Sequence, residues 1–456
     1  MSMQWIVDSG QKNLSTIHCS RAMQEIPLYR KLLLWFFVLV FLISAPLVVF
    51  YTAGYRWNPK KGAIERNGTL IIDTTPTNAQ IRLNNDLLTE TSPSTLKNLS
   101  PGTYHIELSL DGYHPWEKTV DIRPEYVTFV NEVHLWPDVL PELWLEGSYG
   151  QLTQSPNSRY LAGVQEIDGK ARFVFIELTG KRLTPISFLE DVSIDDIKEI
   201  LWSDDSFAVL IAMNDGSAYV ANRKITNRLT QLPDGYYRWD DSVLIGALDG
   251  ERYIYDASTD TAQKDALPFG VIDIQGSYQI IYATGTGGYA LVDVSHSDIL
   301  YSLPSGKWYF GPSYNGVLFL EQDDEWIGFD PDEDAPLARR LKTTGEPVIT
   351  RMNGKTVFLS HHEGEIWSMV LGDEPSIVLR KSRPILHVDW HRDEADVFFA
   401  TGQDVFAYEM RGGNQERVET PLAHFDDLTS LCVIKRELYL SGSRDGKEGI
   451  WVLDIE

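Results

Sequence analysis

Three groups of residues have types that could carry chemistry. Asp330-Pro-Asp332-Glu333-Asp334 gathers the carboxylates that hard cations such as Ca2+ prefer. An EF-hand loop opening at Asp330 needs Gly at its sixth position and Glu at its twelfth, and the chain has Ala335 and Leu341 there. A solvated acidic loop is the expectation. His387-x-x-x-His391 and His361-His362 offer imidazoles. In a strand, residues four apart stand about 13 Å from each other and adjacent ones face opposite ways. A single metal ion with bonds of about 2 Å cannot take both members of either pair, so surface or loop histidines are expected. Gly285-Thr-Gly-Gly288 has the composition of a phosphate loop, but lacks the Gly-Lys-Ser/Thr ending and leads into a strand-like run. It reads as a hairpin turn.

Further motifs are missing. There is no Gly-x-Ser-x-Gly elbow, no His-Glu-x-x-His and no Cys-x-x-Cys. Acids are plentiful, yet no spacing singles out a glycosidase-type carboxylate pair. No catalytic, cofactor-binding or metal-binding residue is assigned, no cofactor is implied, and the chain is expected not to be an enzyme. Cys19 and Cys432 are expected to be unpaired thiols. Trp202, Trp239 and Trp390 could stack on sugars, but their recurrence at one phase argues for packing between repeats. Asp256, Asp293, Asp330 and Asp454 recur at strand ends, where carboxylates bond turn backbone. Any binding surface is expected in irregular connections such as 181–199 and 330–346, without a residue to name.

These positions belong to an array. Hairpin turns followed by aromatic or aliphatic strands recur at Asp168-Gly169, Asp215-Gly216, Asp249-Gly250, Gly287-Gly288, Asp323-Asp324, Glu363-Gly364, Gly402-Gln403 and Asp445-Gly446. The mean period is about 40 residues, the size of a four-stranded propeller blade. Openers at the same phase are Ser155-Pro-Asn-Ser158, Trp202-Ser-Asp-Asp205, Trp239-Asp-Asp-Ser242 and Trp390-His-Arg-Asp393. A β-propeller over 138–456 is predicted, with eight blades, or seven because the unit at 313–334 is short. The last unit stops after its third strand, and a strand near 140–146 is placed to complete it and remove the exposed edge. The openers resemble those of TolB-type and WD40-like propellers, a resemblance that implies the fold and no particular partner.

Residues 68–137 alternate five β-rich runs with turn signals at Thr75-Pro-Thr-Asn-Ala79, Asn84-Asn85, Ser100-Pro-Gly102 and Asp111-Gly112. Alternation in Tyr104-Ile106-Leu108-Leu110 marks one buried face. Gly68-Thr-Leu-Ile-Ile72, Pro76-x-x-Ala79, Leu99-x-Pro101-Gly102-x-Tyr104 and Asp111-Gly112-Tyr113 together resemble a PEGA domain. The family's Pro-Glu-Gly-Ala turn is Pro76-Thr77-Asn78-Ala79 here, and Asn is the next-best residue after Gly for a left-handed position. The resemblance implies a small β-sandwich serving as an envelope or surface module, with no catalytic residues.

Leu32–Tyr51 is a run of 20 residues without a charge. As a helix it would be about 30 Å long, the thickness of a bilayer core. A transmembrane helix over 31–54 is predicted, after a short tail (1–30) and before a juxtamembrane linker (55–67). Lys and Arg are balanced across the two flanks, four on each side, and the adjacent Arg30-Lys31 pair points the N-terminus to the cytoplasm, as in a signal-anchor. The formal charge of −25 is uneven: residues 1–66 carry eight Lys/Arg against three acids, leaving −30 for the rest. A body so acidic repels phosphate backbones, which excludes nucleic-acid partners. The fold class is therefore mainly β behind one N-terminal helix. The expected protein is single-pass in the cell membrane, bound to lipid through residues 32–51, with its C-terminal domains extracytoplasmic and an envelope protein or glycan as partner. The alternative is an exported propeller hydrolase or lyase acting on glycans or peptides.

Overall fold

The computed structural model describes residues 28–52, 55–58, 63–188, 192–225, 228–248, 250–283, 288–311, 317–322, 325–329, 339–342, 347–352, 355–370, 373–392, 395–411 and 417–456. The Asp330–Asp334 loop, most of the glycine turn at 285–288, and Cys19 fall outside them. The chain forms two compact units, one of residues 1–70, 95–102 and 121–129, the other of 71–94, 103–120 and 130–456.

The first unit holds the helix Leu28–Thr52, which is long and apolar enough to cross a membrane and buries none of its side chains. The helix starts earlier than the expected 31, so Arg30 and Lys31 lie in its first turn. Pro46 sits inside it. Beyond it, Tyr55–Asn58 pairs antiparallel with Ala63–Arg66, so the expected linker contains a hairpin. Arg66 forms an ion pair with Glu125, and its guanidinium lies 4.5 Å from the Tyr55 ring centroid.

The small β domain has seven strands where five were expected. One sheet runs in the order Ser94–Leu99, Gly68–Thr75, Val127–His134, and the other in the order Asp86–Thr91, Gln80–Leu83, Gly102–Ser109, Trp116–Ile122. The two unexpected strands, Asp86–Thr91 and Ser94–Leu99, have no buried residue and hence no clear alternation to read. In the second unit, Ile72, Ala79, Ile81, Ile106, Leu108, Trp116 and Val120 are buried. Asn78 and the Asn84-Asn85 turn take positive φ, as the turn chemistry requires.

Eight four-stranded sheets follow, all antiparallel, at 148–188, 197–231, 236–266, 271–303, 309–342, 348–380, 385–424 and 427–454. They are blades 1 to 8. The fifth, whose irregularity favoured the seven-blade alternative, is present with a first strand of only two residues, Tyr309–Phe310. Blade 8 takes its outer strand, Glu142–Glu146, from the beginning of the array, paired antiparallel with Lys447–Asp454.

Apolar seams join the blades: Phe175 with Trp202 between 1 and 2, Val220 with Trp239 between 2 and 3, and Leu291 with Phe310 between 4 and 5. Phe319 meets Phe358 between 5 and 6, Leu359 packs with Trp390 between 6 and 7, and Phe398 with Leu431 between 7 and 8. Leu152 and Val174 pack with Tyr439 and Ile450 between blades 8 and 1, which closes the ring. Among the described residues, a buried ion pair joins blades 3 and 4. Arg238 donates to Asp273 at 2.6 Å and to the carbonyl of Ile274 at 2.8 Å, and Asp273 also accepts the Phe310 amide at 3.0 Å.

Candidate functional site

The repeated chemical residues serve the scaffold. Trp202 and Trp239 are buried, and their indoles donate to main-chain carbonyls of the preceding blade, Thr153 at 3.2 Å and Leu201 at 2.9 Å. They fill seams between blades and offer no open face to a sugar. Trp390 is also buried, in the seam between blades 6 and 7, without the corresponding indole hydrogen bond among the described residues. Asp256 accepts from the Ser258 amide at 2.8 Å, and Asp293 from the Ser295 amide at 2.8 Å. Bonding to Ser258 holds Asp256 below the usual carboxyl range, and bonding to His296 does the same for Asp293. Asp454 accepts the Glu456 amide at 3.1 Å, while Asp330 lies outside the described residues.

The openers work locally too. Ser155 Oγ accepts the Tyr160 amide, and Ser203 Oγ accepts the Ala208 amide, each at 3.0 Å. The main chain repeats the link in reverse: the amides of Ser155 and Ser203 donate to the carbonyls of Tyr160 and Ala208 at 2.9 Å. In blade 7 the same main-chain bond runs from His391 to Asp396 at 2.9 Å. His391 thus stands where two other blades place a turn-capping serine.

That substitution corrects the expectation of a surface histidine, because His391 is 2% exposed. Its ring lies 5.1 Å from that of His134, at the end of the strand Val127–His134 in the small domain, and 5.3 Å from that of Trp136. His134 Nδ1 is 2.8 Å from Asp396 Oδ2. One ligand atom from each of His134, His391 and Asp396 lies within 4.8 Å of the others. A cavity of about 10 Å³ adjoins two of them, His134 and Asp396, and is lined also by Trp116, Trp136 and Glu409 among others. Beside it the Lys118 ammonium bonds both oxygens of Glu409, and Arg411 pairs with Glu132.

His361 and His387 lie in strands and are half-buried. They come from the second strand of blade 6 and the first of blade 7. Burial lowers both imidazoles to about 4, and the presence of His387 adds to the effect on His361. Asp389, on the same strand as His387, is raised to about 6 by burial. Cys432 is free, and its buried thiol donates to the carbonyl of Leu152 at 3.1 Å.

Blades 2, 3 and 5 contribute a second polar group. Lys198 Nζ lies 3.9 Å from Glu199 and 4.0 Å from Glu321, and the Tyr236 hydroxyl donates to Glu321 at 2.5 Å. Tyr236 stacks on Tyr309 with ring centroids 4.8 Å apart. Burial raises the Glu199 carboxyl.

An open cleft of about 670 Å³ lies where the chain passes from blade 6 to blade 7, lined by His361, Glu363, Lys381, Arg383, Ile385 and Leu386. This connection is not one of those expected from sequence to hold a surface. A Lys-Ser-Arg-Pro run between two apolar strands was the available signal. Of the expected connections, 192–196 carries a short turn capped by Ser193, and most of 330–346 lies outside the described residues.

Comparison with curated proteins gave no match. Among solved structures, the chain is similar to the Dos1 propeller at 13% identity, with 70% of this chain and 95% of that one covered and a TM-score of 0.45. It is also similar to the Cps50 (Swd1) β-propeller domain of Myceliophteria thermophila, at 14% identity, 58% and 96% coverage and a TM-score of 0.37. A chain of the mitotic checkpoint complex matches at 10% identity, with 70% and 93% coverage and a TM-score of 0.41. The propeller is identified here by its own eight sheets and closing strand. Residues 67–134 match the PEGA domain model, which makes the small β domain a PEGA domain.

Proposed function

We propose that this chain is a single-pass envelope protein that holds a PEGA domain and an acidic propeller outside the membrane to bind an envelope protein or glycan. A PEGA domain and a propeller are both consistent with an interaction module, and the helix Leu28–Thr52 supplies a means of anchoring. The observation that carries the binding role is the cleft between blades 6 and 7. Its volume of about 670 Å³ is within the range of ligand sites, and its lining mixes Glu363, Lys381 and Arg383 with the apolar Ile385 and Leu386. A purely structural component would not need such a concavity. The repeated Trp, Ser and Asp positions meanwhile are occupied in seams and turns, which favours binding over catalysis.

The test joins location to the cleft. A C-terminal tag should be digested by protease added to intact cells whose membrane stays sealed. Arg383→Glu with Leu386→Asp should abolish capture of envelope material, while Lys264→Glu, on the exposed outer strand of blade 3, should not. Equal capture by all three proteins would sink the cleft reading, and a protected tag would sink the orientation.

The hydrolase or lyase reading draws on Glu199 and Glu321, two carboxylates within reach of one lysine, the former raised by burial. Glycan cleavage that disappears in Glu199→Gln would move the assignment to that reading.

A further inference from the structure

We propose that His134, His391 and Asp396 bind one divalent transition-metal ion, Zn2+ by their chemistry, and that this ion pins the PEGA domain to blade 7. The first argument comes from the repeat itself. Blades 1 and 2 put Ser155 and Ser203 at the turn and Tyr160 and Ala208 opposite them. Blade 7 has His391 and Asp396 at those two positions, so both members of one local pair have become ligand types. They do so where a third ligand type, His134, arrives from another domain.

Geometry supplies the second argument. Tetrahedral bonds of about 2.0–2.1 Å set ligand atoms roughly 3.3 Å apart. The candidate atoms lie within 4.8 Å, with His134 Nδ1 and Asp396 Oδ2 at 2.8 Å, so side-chain shifts on the order of 1 Å complete the set. Two imidazoles and one carboxylate suit zinc, whereas calcium and magnesium favour all-oxygen shells.

The surroundings then decide between structural and catalytic roles. Trp136 and Phe398 pack edge-on against His391. The cavity of about 10 Å³ beside His134 and Asp396 is close to the space of a single water, which could complete the set from their side, and is too small for a substrate. Glu456 Oε1, itself held by Arg392, lies 3.8 Å from His391 Nε2, so a shift of about 1 Å would bring it into hydrogen-bond reach to orient a metal-bound imidazole. The ion would be structural.

The full-length protein in detergent, purified without chelator, provides the test. Metal content is measured by mass spectrometry, and Zn2+ affinity by competition with a chromophoric chelator. Two variants restore residues that other blades carry at these positions: His391→Ser and Asp396→Ala. Wild type should hold about one zinc per chain and melt higher with Zn2+ than with EDTA. Each variant should bind at least about 100-fold more weakly and lose the zinc-dependent rise in Tm. Undiminished zinc in both variants would overturn the site. So would a wild-type protein with no bound zinc and no zinc-dependent rise in Tm, an outcome that needs no variant to fold.

Discussion

The ammonium of Lys118 lies 2.9 and 3.1 Å from the two carboxylate oxygens of Glu409, a partner 291 residues further along the chain. Lys118 is 6% exposed, so this is a buried tie between the PEGA domain and blade 7. Desolvation, with a smaller push from Asp396, leaves the Glu409 carboxyl raised despite the pull of Lys118.

Removing one partner should therefore be worse than removing both. Lys118→Met leaves a poorly solvated carboxylate and should cost about 3 kcal/mol in denaturant unfolding. Lys118→Met with Glu409→Leu should recover most of that loss. Equal losses in the single and double variants would show that the pair contributes more than its desolvation removes.

Arg238 and Asp273 form the corresponding pair between blades 3 and 4, each side chain 1% exposed. Arg238→Met should destabilise by about 3–5 kcal/mol, because Asp273 stays buried. Trp202→Ala, at the apolar seam between blades 1 and 2, should cost a similar amount by leaving a cavity. Both are read from urea midpoints. If either change proves silent, that seam does not hold the ring.

The closing strand can be opened selectively. A Cβ on Gly449 would stand 2.4 Å from the Leu143 side chain and 2.5 Å from the Leu145 carbonyl oxygen. Gly449→Val should release Glu142–Glu146 and make limited proteolysis near 138–147 faster, with the other seven blades retained. Unchanged cleavage would show that closure does not depend on this pairing.

Acid should weaken the fold through His361 and His387. Both imidazoles are lowered to about 4 from an ordinary 6.5. Between those values the unfolded chain binds more protons, so stability present above pH 6.5 is lost as the pH falls toward 4. Asp389, raised to about 6 from 3.8, works in the opposite direction over much of the same window. The double variant His361→Gln with His387→Gln should remove the histidine contribution, about 1.4 kcal/mol for each pH unit separating the two values. Asp389→Asn should steepen the acid loss. Stability curves measured from pH 7 to 4 check both directions.

Much of the architecture could be read locally. The turn at Asp168-Gly169 takes positive φ at both residues, and so does Asp445-Gly446, and each sits between the strands its sequence implied. The missing outer strand of blade 8 was legible because an unmatched edge must be covered, and Leu143 and Leu145 supplied a suitable strand. Asp86–Thr91 and Ser94–Leu99 were not legible, since strands without a buried face carry no alternation.

The sequence by itself determined the apolar helix, the PEGA domain and the eightfold repeat, because each rests on periodicity, turn chemistry or composition within a short window. The tertiary structure alone decided that His391 is buried beside His134, that His387 lies close enough to His361 to lower the proton affinity of His361, and that Arg238 faces Asp273. Those pairings join residues on different blades or domains, and nothing in a local pattern specifies them. Closing the ring and seating the PEGA domain bring the groups together, and the resulting loss of water gives them their chemistry.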